Sequence, residues 1–403
     1  MLDYRYLIIG GGMTADAAVE GIREVDVEGS IGVVTAEEDP PYRRPPLSKG
    51  LWKGMELDSI GYRTSEQADV HTGKTIRALD TEAKRAVATD GDEFGYAKLL
   101  LATGGRPRQL PFHADGVNYF RTLDDYRRLR AQTERGQHFA VIGGGFIGSE
   151  LAAALAMNEK QVTMLFPEAG IGALVYPADL SDYITNYVRE KGVKVLTRTL
   201  AVGVEKRGDR FLVKTRAEEP GEGPPEGELV VDGVVAGLGL IPNTELAEGA
   251  GIHVDDGIVV DELLRTSQED VFAAGDVAAF MNPALGRRLR VEHEDNAWMM
   301  GRAAGKSMAG ADEPYHYLPY FYTNVFELGY QAVGELDARH ETVADWIERP
   351  YKRGVIYYLR DGRVRGVLLW RILRQLDAAR RLIAEPGPFD PEELRGRLPE
   401  ATA

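Results

Sequence analysis

The sequence contains no cysteine, no long apolar run and no excess of positive charge, and each absence excludes a class of function. Without a cysteine among its 403 residues, the chain has no disulfide framework, no thiolate metal site and no cysteine-ligated iron–sulfur cluster. No apolar stretch approaches the roughly 18 to 20 residues that a membrane-spanning helix needs. The formal net charge of −15 disfavours a general role on nucleic acid or on an anionic membrane.

The remaining composition is typical of a globular protein. With 44% hydrophobic and 28% charged positions, the chain is long enough for two or three domains with sizeable cores. The first apolar run begins within about five residues of Met1, which leaves no room for a targeting peptide. We therefore expect a cytoplasmic protein.

The most informative feature that is present is a glycine-rich turn that occurs twice. In residues 6–15 and again in residues 139–148, an apolar run breaks into closely spaced glycines and continues as a helical segment. This pattern indicates a strand, a tight turn and a helix start, which together let backbone N–H groups approach a pyrophosphate. The first turn ends in Ala15 where a third glycine is usual. Two such turns, 133 residues apart, predict two bound dinucleotides.

The order of the other segments predicts an α/β fold. Short β-rich runs alternate with alanine-rich helical segments, which is typical of parallel sheets; the runs are residues 6–9, 31–35, 99–103, 140–142 and 161–166. The acidic, Pro/Gly-rich residues 217–227 indicate an exposed loop between two strands. After Pro314 the pattern changes, and Asp361-Gly362 between two β-rich runs predicts a hairpin. Apolar positions at helical spacing after Trp370 predict a closing amphipathic helix.

A dinucleotide site also needs a carboxylate after its second strand to hold a ribose. In the first half of the chain the nearest candidate is Glu37, one residue later than usual. In the second half Phe166 follows the strand, and the nearest acid is Glu168. A carboxylate at this ribose repels a 2′-phosphate, which favours NADH over NADPH.

Two further segments contain candidate cofactor contacts. The Pro-rich residues 40–49 present Arg44 and Lys49, which point towards an anionic or electron-rich group, although the segment can also be a rigid basic surface loop. The apolar run 271–274 ends in Gly275-Asp276, where a carboxylate can accept a hydrogen bond from a ribityl hydroxyl. Taken alone, a Gly-Asp pair usually marks a turn.

Together these segments resemble the two-dinucleotide flavoprotein reductases, in particular the branch that contains ferredoxin reductases of oxygenase systems and apoptosis-inducing factor. The resemblance extends over nearly the whole chain. Residues 101–107 and 237–239 resemble the two places where the family's chain crosses between domains. Similarity to apoptosis-inducing factor is carried by residues 165–168, 290–293 and 354–360 and by the region of Trp370.

The resemblance implies two Rossmann-like dinucleotide-binding domains and an α+β C-terminal domain. Residues 1–112 and 246–312 would bind FAD, residues 113–245 would bind NADH, and residues 313–403 would form an interface domain. The implied FAD contacts are Gly10, Gly12, Met13, Thr14, Ala15, Glu37, Arg44, Lys49, Ile76, Thr103, Gly104, Arg121, Asp276 and Tyr322. The implied NADH contacts are Gly144, Gly145, Phe146, Ile147, Glu168, Gly239, Glu292 and His293. No metal site is implied.

Four residues are implied to act at the reacting centre. Lys49 would lie near flavin N5 with Glu150 as its counter-charge, since a desolvated lysine needs one; the alternative is two unrelated surface charges. Phe146 would pack against the nicotinamide, or else serve as a core residue. His293 would lie beside the flavin, or else be an ordinary surface residue. If residues 292–295 begin a helix, its dipole can stabilise negative charge on the reduced flavin.

The implied function is that of an FAD-dependent NADH oxidoreductase that passes electrons to an external acceptor. Because no disulfide relay can form, electrons pass directly between the cofactors. The acceptor is a ferredoxin-like carrier, a quinone or oxygen. The alternative is an NADH-responsive redox-sensing scaffold with slow turnover and reduction-linked dimerisation. Residues 351–381 have a local charge of +7, which can steer an acidic ferredoxin or be a solvated helix face.

Overall fold

The computed structural model describes residues 1–219, 226–348 and 351–398. The strands are β1 Leu2–Ile9, β2 Ile31–Val34, β3 Asp69–His71, β4 Ile76–Asp80, β5 Arg85–Ala88, β6 Glu93–Leu101, β7 Gly105–Pro107, β8 Asn118–Tyr119, β9 His138–Ile142, β10 Gln161–Leu165, β11 Lys194–Leu196, β12 Thr199–Arg207, β13 Arg210–Ala217, β14 Gly227–Val231, β15 Gly233–Ala236, β16 Leu240–Pro242, β17 Val254–Asp255, β18 Gly257–Val259, β19 Val271–Ala273, β20 Ala278–Asn282, β21 Arg287–Arg290, β22 Tyr320–Val325, β23 Leu328–Gly334, β24 Glu341–Glu348, β25 Arg353–Arg360 and β26 Arg363–Trp370.

The helices are α1 Met13–Arg23, α2 Leu123–Arg135, α3 Phe146–Met157, α4 Ala178–Glu190, α5 Glu245–Gly249, α6 Glu294–Met308, α7 Leu376–Ala384 and α8 Pro391–Leu394. The chain divides into two compact units. The first comprises Met1–Arg44, Glu56–Arg106 and Ile241–Phe321, and the second comprises Pro45–Met55, Pro107–Leu240 and Tyr322–Ala403. The three-domain division proposed from the sequence stays a prediction.

The first unit contains a sheet in the order β3-β2-β1-β6-β5-β4, with β19 also paired to β6. Strand β1 is parallel to both β2 and β6, and its apolar end is buried, as expected for a parallel strand covered on two faces. Helix α1 packs against α6, where glycine permits a close approach. A Cβ at Gly305 would lie 2.1 Å from the backbone oxygen of Ala18, so any larger residue would push the two helices apart.

The second unit contains a fully parallel sheet in the order β11-β10-β9-β15-β8, a three-stranded antiparallel sheet β12-β13-β14 and the five-stranded antiparallel sheet β22-β23-β26-β25-β24. We call the last of these the C-terminal sheet. It follows the two-residue alternation of a half-buried strand, since along β22 the buried residues are Phe321, Thr323 and Val325.

Helix α4 contacts residues in the turns next to strands of the C-terminal sheet, through side chains spaced four residues apart. The Tyr351 hydroxyl donates to Asp179 at 3.1 Å, and the rings of Tyr183 and Tyr351 lie 4.8 Å apart. One turn further on, the Tyr187 hydroxyl donates to Glu327, which also pairs with Lys191 at 2.8 Å. Because i and i+4 residues share one face of a helix, α4 presents a continuous stripe to the sheet.

The structure confirms most of the local predictions. All five predicted strands form, and the predicted hairpin joins β25 to β26 through Asp361 and Gly362, whose φ values of 55° and 70° suit the tight turn. The closing helix begins at Leu376, later than its apolar pattern indicated, because Arg371 and Arg374 have positive φ values. Strands β13 and β14 flank the predicted acidic loop, of which residues 220–225 lie outside the described residues.

Candidate functional site

The first glycine turn connects β1 to α1 and leaves the helix N-terminus accessible. Gly10 has a φ of 123°, and a Cβ there would lie 2.1 Å from the backbone oxygen of Ala102. Gly12 caps the helix in an extended conformation, and the nearest atoms to a Cβ there belong to Arg44 at 3.9 Å. The first N–H groups of a helix lack intrahelical partners, so this turn has room and donors for a phosphate. Met13, Thr14 and Ala15 form the first buried turn of α1.

The second glycine turn, between β9 and α3, has the same geometry. Gly143 has a φ of 119°, and a Cβ there would lie 2.3 Å from the Gly237 oxygen. Gly145 caps α3 in an extended conformation, and a Cβ at this position would have no atom within 4 Å. Gly148 completes the pattern, since its Cβ would lie 2.1 Å from the Gly143 oxygen. The space at Gly145 fits a pyrophosphate held by the α3 N-terminus.

In both units the same packing arrangement explains why the ribose carboxylate comes later in the sequence than usual. The residue directly after the second strand packs over the middle glycine of each turn: a Cβ at Gly11 would lie 2.4 Å from Thr35, and one at Gly144 would lie 2.7 Å from the Phe166 ring. The carboxylate then comes two residues later, as Glu37 in the first unit and Glu168 in the second. Glu37 and Glu168 therefore occupy equivalent positions in the two units, although both come later than usual in the sequence.

Three predicted FAD contacts interact within the first unit. The Glu37 carboxylate accepts a hydrogen bond from the Tyr42 hydroxyl at 2.6 Å and pairs with the guanidinium of Arg44. Burial alone would lower the pKa of Arg44, but the acidic groups of Tyr42, Glu37 and Asp276 raise it above its ordinary value. The arginine is therefore a permanent cation beside the first glycine turn.

Other predicted contacts are distributed over both units. The Thr103 hydroxyl donates to the backbone oxygen of Asn243 at 2.8 Å. In return, the side-chain amide of Asn243 donates to the backbone oxygen of Thr103 at 2.9 Å. Gly104 follows with a φ of 62°. Ile76 packs against the first unit's core, whereas Arg121 belongs to the second unit and donates its N–H to Asp125. Asn243 was missed because only the tertiary fold brings it to Thr103.

His293 and Glu292 lie in the first unit, at the start of α6. The His293 ring stacks on Phe321 with centroids 4.3 Å apart. Burial lowers the pKa of His293 to about 4, opposed by the charge of Asp276, so the imidazole is neutral at pH 7. Arg290 donates to the Glu292 carboxylate at 2.5 Å and to the backbone oxygen of Asp276 at 3.2 Å.

The Lys49–Glu150 ion pair lies in the second unit. The Lys49 ammonium donates to Oε2 of Glu150 at 2.7 Å, and the Ser48 hydroxyl donates to the same oxygen at 2.6 Å. The Thr323 hydroxyl donates to Oε1 at 2.7 Å. The Glu150 side chain is only 3% exposed, so these hydrogen bonds compensate for its desolvation. Glu150 is thus buried and Lys49 half-buried, so the alternative of two unrelated surface charges is wrong; the role of the pair at a flavin stays a prediction.

A cleft lies beside the second glycine turn. Its lining residues are Gly144, Gly145, Phe146, Ser149, Ile171, Gly172, Tyr176, Ile184, Thr323, Val325, Leu328, Tyr330 and Trp370. Phe146 is half-buried here at the first position of α3, while Ile147 is 40% exposed. The Tyr176 and Tyr330 hydroxyls are 2.9 Å apart, and burial raises the pKa of both.

Three remaining predicted residues also belong to the second unit. Tyr322 has its ring centroid 5.5 Å from the Lys49 ammonium. Gly239 has a φ of 84°, and its backbone oxygen accepts from Arg108 at 2.9 Å. Glu168 is half-buried after β10. Ser48 and Thr323 were not predicted as hydrogen-bond donors to Glu150, although each is adjacent to a predicted site residue and Thr323 lies on the buried face of β22.

Two glycine turns that each follow a parallel strand, with an accessible helix N-terminus and a carboxylate three residues past the end of the second strand, define a protein that binds two dinucleotides. Residues 4–301 match the family described as pyridine nucleotide-disulphide oxidoreductase. Residues 344–385 match the family described as apoptosis-inducing factor, mitochondrion-associated, C-term. The chain belongs to the pyridine nucleotide-disulphide oxidoreductase family.

Individual relatives support the assigned branch. The anthranilate 1,2-dioxygenase system ferredoxin–NAD(+) reductase component of Burkholderia cepacia is 35% identical, over 96% of both chains. Apoptosis-inducing factor 1, mitochondrial, of Dictyostelium discoideum is 33% identical, over 94% of this chain and 78% of the relative. The crystal structure of the covalent putidaredoxin reductase–putidaredoxin complex matches with a TM-score of 0.86 and 29% identity, over 98% of this chain and 96% of that one.

These comparisons confirm the predicted resemblance, the α/β fold and the cofactor class. The protein is an NADH-dependent flavoprotein oxidoreductase whose cofactors are FAD and NADH, and it differs from its family's name in having no cysteine for a redox disulfide. Among the helices of the described ranges, none combines the length with the apolar composition that a membrane-spanning helix requires. The same part of the chain contains no cluster of three or more His, Asp or Glu residues able to hold a metal.

Proposed function

We propose that this protein oxidises NADH with FAD held at the first glycine turn and delivers the electrons to a ferredoxin-type carrier. The observation that carries the proposal is the pair of equivalent turns, each with space for a phosphate, in a chain without cysteine. FAD, when bound, supplies the hydride acceptor and allows the electrons to leave singly. The protein's contribution is to hold the two dinucleotides and to set the charge around them.

In the first unit, the N–H groups at the start of α1 would hold the FAD pyrophosphate, with Arg44 adding positive charge. Glu37 would accept hydrogen bonds from the ribose, and Asp276 from the ribityl chain. Support comes from the charge interactions of Arg44 with Glu37 and with Asp276. His293, neutral at pH 7, would contribute a polar group without adding charge.

In the second unit, the N–H groups at the start of α3 would hold the NADH pyrophosphate, and Glu168 would hold its ribose. The carboxylate disfavours the 2′-phosphate of NADPH. Phe146 would pack against the nicotinamide from its place in the cleft. Lys49 would stabilise negative charge on the reduced flavin, and Glu150 would keep the lysine charged and in place.

The proposed acceptor is an acidic ferredoxin, supported by the reductases among the relatives and by the basic C-terminal residues. Within the +7 segment 351–381, Lys352, Arg371, Arg374 and Arg381 are exposed. Such a patch accelerates association with an acidic partner and makes it sensitive to salt. A quinone and oxygen are the competing acceptors. The cytoplasmic location and a homodimer stay predictions.

The test is direct. The purified protein should be yellow, bleach on anaerobic addition of NADH, and regain its colour with a ferredoxin at a rate that falls steeply with ionic strength. A protein that takes up no FAD would overturn the proposal. Equal reoxidation at low and high salt would exclude docking of ferredoxin through the basic residues, and faster reoxidation by a quinone or oxygen would exclude ferredoxin as the preferred acceptor.

The similarity of residues 344–385 to the C-terminal region of apoptosis-inducing factor favours one alternative, a redox-sensing scaffold. Such a protein would form a long-lived charge-transfer complex with NADH and dimerise on reduction. Light scattering with and without NADH, combined with turnover on several acceptors, separates the two functions. Rapid reoxidation by one carrier with no change in mass supports the reductase.

A further inference from the structure

Thr323 donates a hydrogen bond to Glu150 and also belongs to the lining of the cleft. Oε2 of Glu150 is shared by Lys49 at 2.7 Å and Ser48 at 2.6 Å, whereas Oε1 accepts from Thr323 at 2.7 Å. That cleft is the one beside the second glycine turn. Thr323 itself is 4% exposed, so its hydroxyl has little access to water.

The final torsion of a glutamate side chain is broad, because it joins an sp³ to an sp² carbon. Its rotamer therefore does not fix the plane of the carboxylate, and donors at both oxygens are needed to do so. At Glu150, Ser48 and Lys49 hold one oxygen, and Thr323 alone among the hydrogen bonds described above holds the other. Removing the Thr323 hydroxyl would leave Oε1 buried without this donor and free the carboxylate to rotate.

We propose that Thr323 is a positioning residue that fixes the Glu150 carboxylate and thereby couples occupancy of the cleft to the position of the Lys49 ammonium. The proposal rests on the proposed function, in which the nicotinamide enters this cleft and Lys49 acts on the flavin. A ring that packs beside Phe146 would contact Thr323, because both residues line the same cleft, and the Thr323 hydroxyl would pass that contact on to Glu150. The alternation of β22 makes this possible, because it directs Thr323 and Val325 to the same buried face.

The experiment compares FAD-loaded, full-length T323V, T323S and T133V proteins with the wild type. Valine has nearly the shape of threonine without the hydroxyl, and serine retains the hydroxyl. T133V is the matched control, because Thr133 is 5% exposed in the same unit and its hydroxyl donates only to the local backbone oxygen of Arg130 at 2.7 Å. Three properties are measured: the limiting rate of flavin reduction by NADH as a function of pH, the flavin midpoint potential with and without NAD⁺, and thermal unfolding.

For T323V we expect the limiting rate to fall about tenfold, as expected for loss of one hydrogen bond to a charged group, with a displaced pH profile and a more negative midpoint potential. NAD⁺ should shift the wild-type potential and shift that of T323V less. T323S should retain the rate within a factor of about two. T133V should change only the unfolding temperature.

Other outcomes overturn the proposal. If T323V unfolds earlier but keeps the wild-type pH profile and the wild-type response to NAD⁺, Thr323 is a packing residue. If T323S behaves like T323V, the hydroxyl is not the active group. A failure of the proposed function is recognised separately, because the wild type itself would then not be reduced by NADH.

Discussion

The second glycine turn permits a paired test of binding against folding. Gly143→Ala and Gly145→Ala each add one methyl group, two residues apart in the same turn. At Gly143 the methyl would lie 2.3 Å from the Gly237 oxygen, and the φ of 119° is one that alanine avoids. At Gly145 no atom lies within 4 Å of the added Cβ, and the φ of −84° suits any residue.

The two substitutions should therefore affect different properties: Gly145→Ala should weaken NADH binding, and Gly143→Ala should lower the stability of the fold. For Gly145→Ala the free energy of unfolding should change by less than about 1 kcal/mol, whereas the methyl occupies the space proposed for the pyrophosphate. Loss of a charge-assisted hydrogen bond, worth about 1.5–3 kcal/mol, would raise the Kd for NADH about 10- to 100-fold. For Gly143→Ala the strained backbone alone should destabilise the protein by about 1–3 kcal/mol, and the collision adds to this.

The assay measures unfolding by denaturant, FAD content, and the NADH concentration dependence of flavin reduction. Bound FAD in Gly145→Ala should match the wild type, because the first unit is untouched. Wild-type affinity for NADH in a well-folded Gly145→Ala protein would refute the assignment of the second turn. Equal loss of stability in both variants would refute the geometric argument.

Three further predictions follow from single groups. Glu168→Gln should narrow the preference for NADH over NADPH, measured as the ratio of kcat/KM values, and an unchanged ratio would remove Glu168 from the ribose site. Because the pKa of His293 is lowered from 6.5 to about 4, the unfolded chain binds a proton there that the folded chain does not. The free energy of unfolding should thus fall by up to ~3 kcal/mol as the pH is lowered from 6.5 to 4. In denaturant titrations, His293→Asn should make this free energy depend less steeply on pH. Reversing Arg371 and Arg374 to glutamate should slow ferredoxin reduction at low salt, with no change in flavin reduction by NADH; equal rates with ferredoxin would exclude this patch.

The features that could be predicted from the sequence are local ones. The glycine turns and the Asp361-Gly362 hairpin depend on backbone conformations that few residues other than glycine, asparagine and aspartate adopt. The residue types at these positions are therefore enough to indicate them. The start of the closing helix was misplaced because the positive φ values of Arg371 and Arg374 have no sequence signal. Thr323 and Glu150 are 173 residues apart, and Thr103 and Asn243 are 140 apart. Such contacts depend on the packing of whole elements and leave no local pattern.

The stripe on α4 has a consequence for dividing the chain. Residues 313–403 were expected to form their own domain. However, Tyr183 and Tyr187 of α4, and Lys191 directly after it, contact Tyr351 and Glu327 on the other side of that boundary. Cutting the chain between them would expose two tyrosine faces and separate an ion pair. A chimera that exchanges the C-terminal sheet with that of a relative must therefore exchange α4 as well, or match its four-residue spacing.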